Sequence, residues 1–296
     1  MHTNYALITP AKNEAAYIEK TILSVMAQTV KPSRWVIVDD ASTDETCEIV
    51  ARYARQYNCI TLVRIQNTAT RNFGRKVDAF KSGFNSLAEL NYDLIGNLDA
   101  DMIMGLDYYE NVIREFDHDP RLGISGGVVY VPSGDRYVNY DATWDSVAGA
   151  VQLFRKECFR QIGGYLRIPT GGIDAAAEIM ARKHGWTVRK VANNPAYEQR
   201  PTGFAHGKPW RAAYKEGIHY HALGYSSLFY CFRCLRRMGN SPRVIGSILG
   251  LAGFLGAKLR RDPIYLPADA VEYLHSEQLQ KLRDQLLRRS KVSPAY

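Results

Sequence analysis

The sequence predicts an α/β protein with a doubly wound, mainly parallel sheet sandwiched by helices, followed by a helical C-terminal appendage. Three observations carry that prediction. Short buried apolar runs alternate with helix-spaced segments over the first hundred residues; the ends of the first, second and fourth runs carry polar clusters; and beyond about residue 207 the pattern gives way to interleaved aromatic, basic and apolar residues.

The first run, Tyr5–Thr9, reads as a buried strand that Pro10 is expected to end. Ile18, Ile22, Val25 and Met26 have the spacing of one helix face, which predicts a helix over 14–27. Trp35–Val38 is a second strand, Ser42 to Glu45 cap a helix through about Tyr57, and Ile60–Ile65 is a third strand. A helix over 75–90 and a strand over 92–98 follow. Farther on, a strand is expected over 123–130, a helix over 151–161 before Gly163-Gly164-Tyr165, a helix over 174–185 closed by Gly185, and a strand over 186–191.

Strand and helix alternating at this spacing imply parallel strands covered on both faces, and such sheets bind ligands beyond the carboxyl ends of their strands. Those ends here carry Pro10-Ala11-Lys12-Asn13-Glu14, Asp39-Asp40-Ala41-Ser42-Thr43-Asp44 and Asp99-Ala100-Asp101, so three polar clusters are expected on one rim. No Gly-x-Gly-x-x-Gly follows the first strand and no Gly-Lys-Ser/Thr phosphate loop occurs, which counts against dinucleotide and P-loop sites. Asp99 and Asp101 stand one residue apart. In extended backbone both carboxylates point to one side, and such a pair calls for a cation: Mg²⁺ or Mn²⁺, hard ions that take oxygen ligands and leave positions open for phosphate oxygens.

The net charge of +8 is unevenly placed: residues 1–207 carry 23 Lys and Arg against 24 Asp and Glu, and residues 208–296 carry 15 against 6. Two domains are therefore expected, 1–207 and 208–296. The most apolar run of the second, Val244–Ala257, is too short to span a bilayer; its basic flanks, from Arg233 to Arg243 before it and Lys258 to Arg261 after it, fit peripheral contact with an anionic leaflet, the alternative being a helix packed on protein. Nucleic acid is not expected as a partner, since no reader motif accompanies the charge. Five scattered cysteines and the absence of an opening signal peptide point to the cytoplasm, and Cys231-Phe232-Arg233-Cys234 lacks the second pair that a zinc site needs.

The segments "ITPAKNEAAYIEKTILSVMAQT", "VIVDDASTDET", "RNFGRKVDAFKSG" and "NLDADM", in this order, closely resemble glycosyltransferase family 2, the inverting nucleotide-sugar transferases of GT-A fold. The likeness continues through "FRKECFRQIGGY" and "GIDAAAEIMARKHGW", and the tail has weaker similarity to bacterial members that build surface polysaccharide. The resemblance implies an enzyme that transfers a sugar from a nucleotide-diphosphate sugar, UDP-sugars first, to a hydroxyl of a glycan or polyprenyl-linked saccharide.

It implies roles residue by residue. Pro10, Ala11 and Glu14 would line the nucleoside pocket, Asp40 would accept from a pyrimidine N–H, and Arg71, Arg75 and Lys76 would reach the base or diphosphate, or else be solvated helix charges. Asp99 with Ala100 would serve the ribose or a metal-bound water, Asp101 together with Asp99 would hold the metal, His206 would supply a third metal ligand or a diphosphate contact, and Arg200 a diphosphate contact. An acid eleven residues before a Gly-aromatic step deprotonates the acceptor; Gly185-Trp186 is that step, which selects Asp174, with Ile173 where a Glu is usual. Asp174 also suits a helix N-cap, and Glu178 one turn later is either an acceptor contact or a solvated charge. Two rivals stand against the transferase: a non-catalytic nucleotide-sugar-binding scaffold, disfavoured because all three acids are present, and a nucleotidyltransferase, disfavoured because no Gly-rich, Arg-containing loop follows the first strand.

Overall fold

The computed structural model describes residues 3–66, 73–139, 145–200, 209–237 and 243–291. Arg71 and His206 lie outside them, so their expected roles have no structural counterpart here. Contacts divide the chain into one unit of Met1–Pro169 with Ile173–Gly203 and a second of Thr170–Gly172 with Phe204–Tyr296.

The first unit is α/β. Its strands are β1 (Tyr5–Ala11), β2 (Arg34–Asp40), β3 (Ile60–Ile65), β4 (Leu94–Asn97), β5 (Met102–Met104), β6 (Leu122–Ser133), β7 (Arg136–Asn139), β8 (Leu153–Arg155) and β9 (Thr187–Glu198). Its helices are α1 (Ile18–Met26), α2 (Thr46–Gln56), α3 (Phe73–Asn85), α4 (Tyr108–His118), α5 (Lys156–Gln161) and α6 (Ile173–Lys183). The strands form one sheet in the order β3-β2-β1-β4-β8-β6-β9-β5, with β7 paired to β6.

Pairing is parallel from β3 through β2 and β1 to β4, so their carboxyl ends share one edge. Beyond β4 the sheet is mixed: β8 runs antiparallel to β4 and β6, β6 and β9 are parallel, and β5 is antiparallel to β9. The expected alternation thus describes the first half of the sheet.

Two expectations need correction. Pro10 does not end β1, which continues to Ala11 with Pro10 opposite Val38 and Ala11 opposite Asp39. The helix expected over 151–161 is a single 3₁₀ turn, Gly149–Val151, then β8, and only from Lys156 an α-helix. Phe154 pairs with both Ile95 and Ile124, and its burial between two strands overrides the helix-like spacing of the run.

The parallel strands are apolar on both faces because helices cover both; Tyr5, Leu7, Ile8, Trp35, Ile37 and Leu94 are fully buried. Gly83 sets the closeness of α3 to this layer: a Cβ there would stand 2.8 Å from Ile8 Cγ2 and 2.9 Å from Val38 Cγ2. That packing fixes α3 across the sheet, with Arg75 and Lys76 in its first turns.

The second unit is helical: α7 (Pro209–Ala222), α8 (Ser227–Arg237), α9 (Arg243–Leu259) and α10 (Ala268–Lys291). Helices α7 and α9 pack backbone to backbone, for a Cβ on Gly217 would overlap the Gly250 carbonyl and one on Gly253 the Tyr214 carbonyl. Tyr230 and Cys234 of α8 pack with Phe254 of α9. No described helix is long and apolar enough to cross a membrane. All five cysteines are free.

Candidate active site

The rim at the carboxyl ends of β1, β2 and β4 gathers the acids that the sequence singles out. Two tight loops shape it. Asn13 after β1 and Ala41 after β2 both hold left-handed backbone, φ 55° and 53°, which bulky residues resist. The Asn13 side chain accepts from the Thr43 amide at 2.8 Å, and the Glu14 and Ala15 amides donate to Thr46 Oγ1 and Asp44 Oδ2, so the loops are tied together. Asp44 also accepts from the Thr46 hydroxyl and amide; burial pushes its carboxyl up, but the Thr46 hydroxyl first and then the amides outweigh it and hold the carboxyl below the usual range. Asp39 is buried and accepts from the Ser42 amide at 3.2 Å, a structural role.

Asp40 ends β2 and is 6% exposed; it pairs with Arg75, itself 3% exposed. Arg75 is therefore no solvated helix charge. Lys12 Nζ donates to the Asp40 carbonyl at 3.0 Å. One residue along α3, Lys76 Nζ donates to Asp99 Oδ1 at 2.5 Å, and Asn97 Nδ2 donates to the same oxygen at 3.0 Å. Ala100 is buried, its carbonyl accepting from Thr21 Oγ1 at 2.8 Å, which fixes the backbone between the two acids.

Asp101 is 2% exposed. Arg200 Nε lies 2.7 Å from its Oδ2, an ion pair without hydrogen-bond alignment, while Arg200 Nη2 lies 3.0 Å from Glu14 Oε1. Burial and repulsion from Asp99 push the Asp101 carboxyl up, against the pull of Arg200 and Lys76. Glu198, at the end of β9 and paired in register with Met102, is pushed up to about 8 by burial and then by Asp101 and Asp99. In the sequence Glu198 stands out only as an acid where the family resemblance implies a basic or His residue before Arg200; the β5–β9 ladder is what brings it to the Asp-x-Asp loop. Among the described residues no three His, Cys, Asp or Glu side chains converge as a ready metal site.

Asp174 lies in the first turn of α6. Its Oδ1 accepts from the Ala175 amide at 2.9 Å and its Oδ2 from the Gly149 amide at 3.1 Å. The same short stretch touches the Asp-x-Asp loop: the Gly149 carbonyl accepts from Asn97 Nδ2 at 2.5 Å, and the Ala150 carbonyl from the Asp99 amide at 2.9 Å. Gly149-Ala150 therefore links Asp174 to Asp99 by direct hydrogen bonds. A Cβ on Gly149 would stand 3.0 Å from Asp174 Oδ2, so glycine admits the carboxylate.

Glu178 is neither a solvated charge nor open to an acceptor: it is 3% exposed. Its Oε1 accepts from the Val147 amide at 2.6 Å and from Ser146 Oγ at 3.3 Å, and Arg182 Nη1 lies 3.6 Å from Oε2. Gln152 joins it, donating to the Val147 carbonyl and accepting from Tyr165 Oη at 2.8 Å. Glu178 is a strut for the 146–152 segment that carries Gly149.

A parallel α/β layer with an Asp-x-Asp loop at its rim and an acid at a helix start beside it defines the architecture of nucleotide-sugar transferases of GT-A type. The chain belongs to glycosyl transferase family 2, whose model matches residues 6–173 and stops one residue short of Asp174. A poly-beta-1,6-N-acetyl-D-glucosamine synthase of Staphylococcus aureus is 32% identical over 115 residues, 39% of this chain and 26% of that protein. The chain thus matches about a quarter of that relative's length. The solved mannosyltransferase PcManGT of Pyrobaculum calidifontis, in complex with GDP-Man and Mn²⁺, superposes with a TM-score of 0.57 at 16% identity, covering 95% of this chain and 81% of that one. Residues 1–349 of Staphylococcus aureus TarS with UDP-GlcNAc superpose with a TM-score of 0.51 at 14% identity, covering 87% and 73%. These likenesses establish the GT-A fold.

Proposed function

We propose that this chain is a metal-dependent inverting glycosyltransferase that moves a sugar from a UDP-sugar to a hydroxyl of a glycan or polyprenyl-linked saccharide, in the assembly of a cell-surface polysaccharide. The observation that carries the reading is the Gly149-Ala150 link, which ties the candidate base Asp174 to the Asp-x-Asp loop. The relative that builds poly-N-acetylglucosamine supports the polysaccharide setting, and the UDP-GlcNAc complex of a structural neighbour supports the donor class.

Two observations fit a divalent cation: Asp101 and Asp99 offer hard oxygens one residue apart on one loop, and burial and neighbouring acids disfavour the charged forms of Asp101 and Glu198 in the absence of added positive charge. Asp101 and Asp99 would hold the ion, with Arg200 withdrawn from Asp101. When bound, a divalent ion neutralises charge on the departing diphosphate. Asp40, its carboxylate kept in place by Arg75, would accept from the base; Pro10, Ala11 and Glu14 would line the nucleoside pocket, Ala100 the ribose. Asp174 takes the proton of the acceptor hydroxyl as that oxygen attacks the anomeric carbon opposite the diphosphate. Its Oδ2, oriented by the Gly149 amide, is preorganised for that step.

A scaffold that binds nucleotide-sugars without turnover shares the pocket and differs in chemistry. Release of UDP from UDP-GlcNAc in the presence of Mn²⁺ and absent with EDTA is the expected result, with Asp174→Asn abolishing transfer to acceptor while donor binding by calorimetry persists. Full transfer by Asp174→Asn would show that another residue is the base; no UDP release from any UDP-sugar would favour the scaffold.

A further inference from the structure

Helix α9 has two unlike faces. Ser247, Gly250, Gly253, Phe254 and Ala257 are buried against α7 and α8. The opposite face exposes Val244, Ile245, Ile248, Leu255 and Leu259, from 41% to 84% exposed, with Ala252 also exposed between them. Their spacing of three, four and seven residues makes one stripe along the helix, about 22 Å from first to last at the ordinary rise. From Val244 to Ala257 the only side chain with a hydrogen-bonding group is Ser247, and that is turned inward, donating to the Cys234 carbonyl at 2.8 Å. A soluble surface helix normally turns polar residues outward, and this one turns its large aliphatics outward instead. Leu228 and Leu235 of α8 are also exposed, but on the side away from Tyr230 and Cys234, which face α9; they do not extend the stripe.

We infer that the outer face of α9 docks on an anionic lipid surface, its aliphatic stripe in the headgroup–acyl boundary. Charge selects lipid over a second copy of the chain. Residues 208–296 carry 15 Lys and Arg against 6 Asp and Glu, so two copies meeting on this face would bring like charges together, whereas an anionic leaflet attracts them. Lys258, Arg260 and Arg261 stand exposed at the carboxyl end of the stripe, beside Leu259. An aliphatic face with cations at its edge is the pattern of helices that lie in the interface rather than span it. The docking deepens the transferase reading, on which its link to a polyprenyl-linked acceptor rests; the surface itself is read from α9 alone.

The test is co-sedimentation of the full chain with sucrose-loaded vesicles of phosphatidylcholine containing phosphatidylglycerol, and with vesicles of phosphatidylcholine alone. The expected result is binding to the anionic vesicles that weakens with salt and falls at least about tenfold in Ile248→Glu/Leu255→Glu. Both positions face water, and circular dichroism checks that the variant folds as the parent does. Ile248→Trp keeps the face apolar, and its fluorescence should shift to the blue with anionic vesicles only. Binding that is indifferent to the Glu pair, or no binding to either vesicle, overturns the proposal, as does a dimer in analytical ultracentrifugation that the Glu pair dissociates. UDP release measured on the same preparations separates the two readings: vesicle binding without UDP release leaves the docking face standing and removes the transferase.

Discussion

Glu178→Gln tests the strut beneath the candidate base. Burial raises the Glu178 carboxyl from 4.5 to about 8, with Arg182 and the Val147 amide opposing. An acid whose folded pKa is raised binds its proton more tightly in the native state, so its contribution to stability is full below 4.5 and is lost as pH rises through about 8. The span corresponds to about 5 kcal/mol, spent at about 1.4 kcal/mol per pH unit across that window. Glutamine keeps an oxygen for the Val147 amide, which now lies 2.6 Å from Oε1, and never ionises; it forfeits only the pairing with Arg182 at 3.6 Å.

The variant should therefore be equal to or slightly less stable than the parent at pH 5 and more stable at pH 8.5, the two curves crossing between. In calorimetric melts each kcal/mol should appear as about 2–4 °C. If the difference in melting temperature stays constant from pH 5 to 9, Glu178 is ionised throughout and the account of the buried strut is wrong.

Three further outcomes follow from the site. Arg75→Ala leaves the Asp40 carboxylate buried without its partner and should cost about 3–5 kcal/mol in urea unfolding, part of it recovered by adding Asp40→Ala; a loss under about 1 kcal/mol would mean the pair is unimportant. Gly149→Ala puts a methyl 3.0 Å from Asp174 Oδ2 and should lower kcat about a hundredfold with donor affinity unchanged in calorimetry; equal losses in both would point to collapse of the loop instead. Arg200→Gln takes the cation from Asp101 and Glu14, so Mn²⁺ should raise its melting temperature more than that of the parent, and an equal rise would place the metal elsewhere.

What was legible in the sequence was what local pattern determines. The first, second and fourth strands, expected to end at Thr9, Val38 and Leu98 and ending at Ala11, Asp40 and Asn97, and the helix expected from Asp174 and closed through Gly185, φ +83°, follow from apolar periodicity and turn chemistry to within two residues, so the rim and its acids could be placed. The misread segments depend on partners distant in the chain. The run from Val151 has apolar spacing that a helix would also satisfy, and only pairing with β4 and β6 makes Leu153–Arg155 a strand. Glu178 carries the mark of a surface residue until Val147 and Arg182 are seen to enclose it. The contacts of Arg200 with Glu14 and Asp101, and of Gly149 with Asn97 and Asp174, join residues that no spacing rule connects.

These long-range pairs give the candidate site an internal balance of charge. Arg75 neutralises Asp40, Lys76 neutralises Asp99, and Arg200 divides itself between Asp101 and Glu14. The three cations are not held alike. The Arg75 side chain is 4% exposed and locked under the rim, whereas Lys76 is 26% and Arg200 35% exposed. Withdrawing Arg75 would strand a buried carboxylate; withdrawing Arg200 exchanges a partly hydrated pair for contact with water or with an incoming cation, a much smaller cost. In the proposed reaction Arg200 is thus the cation that yields its place at Asp101, and the guanidinium it frees remains beside the position where a diphosphate would bring negative charge. Arrival of metal and diphosphate together then alters the net charge of the site little, which favours their binding as a unit over either one alone.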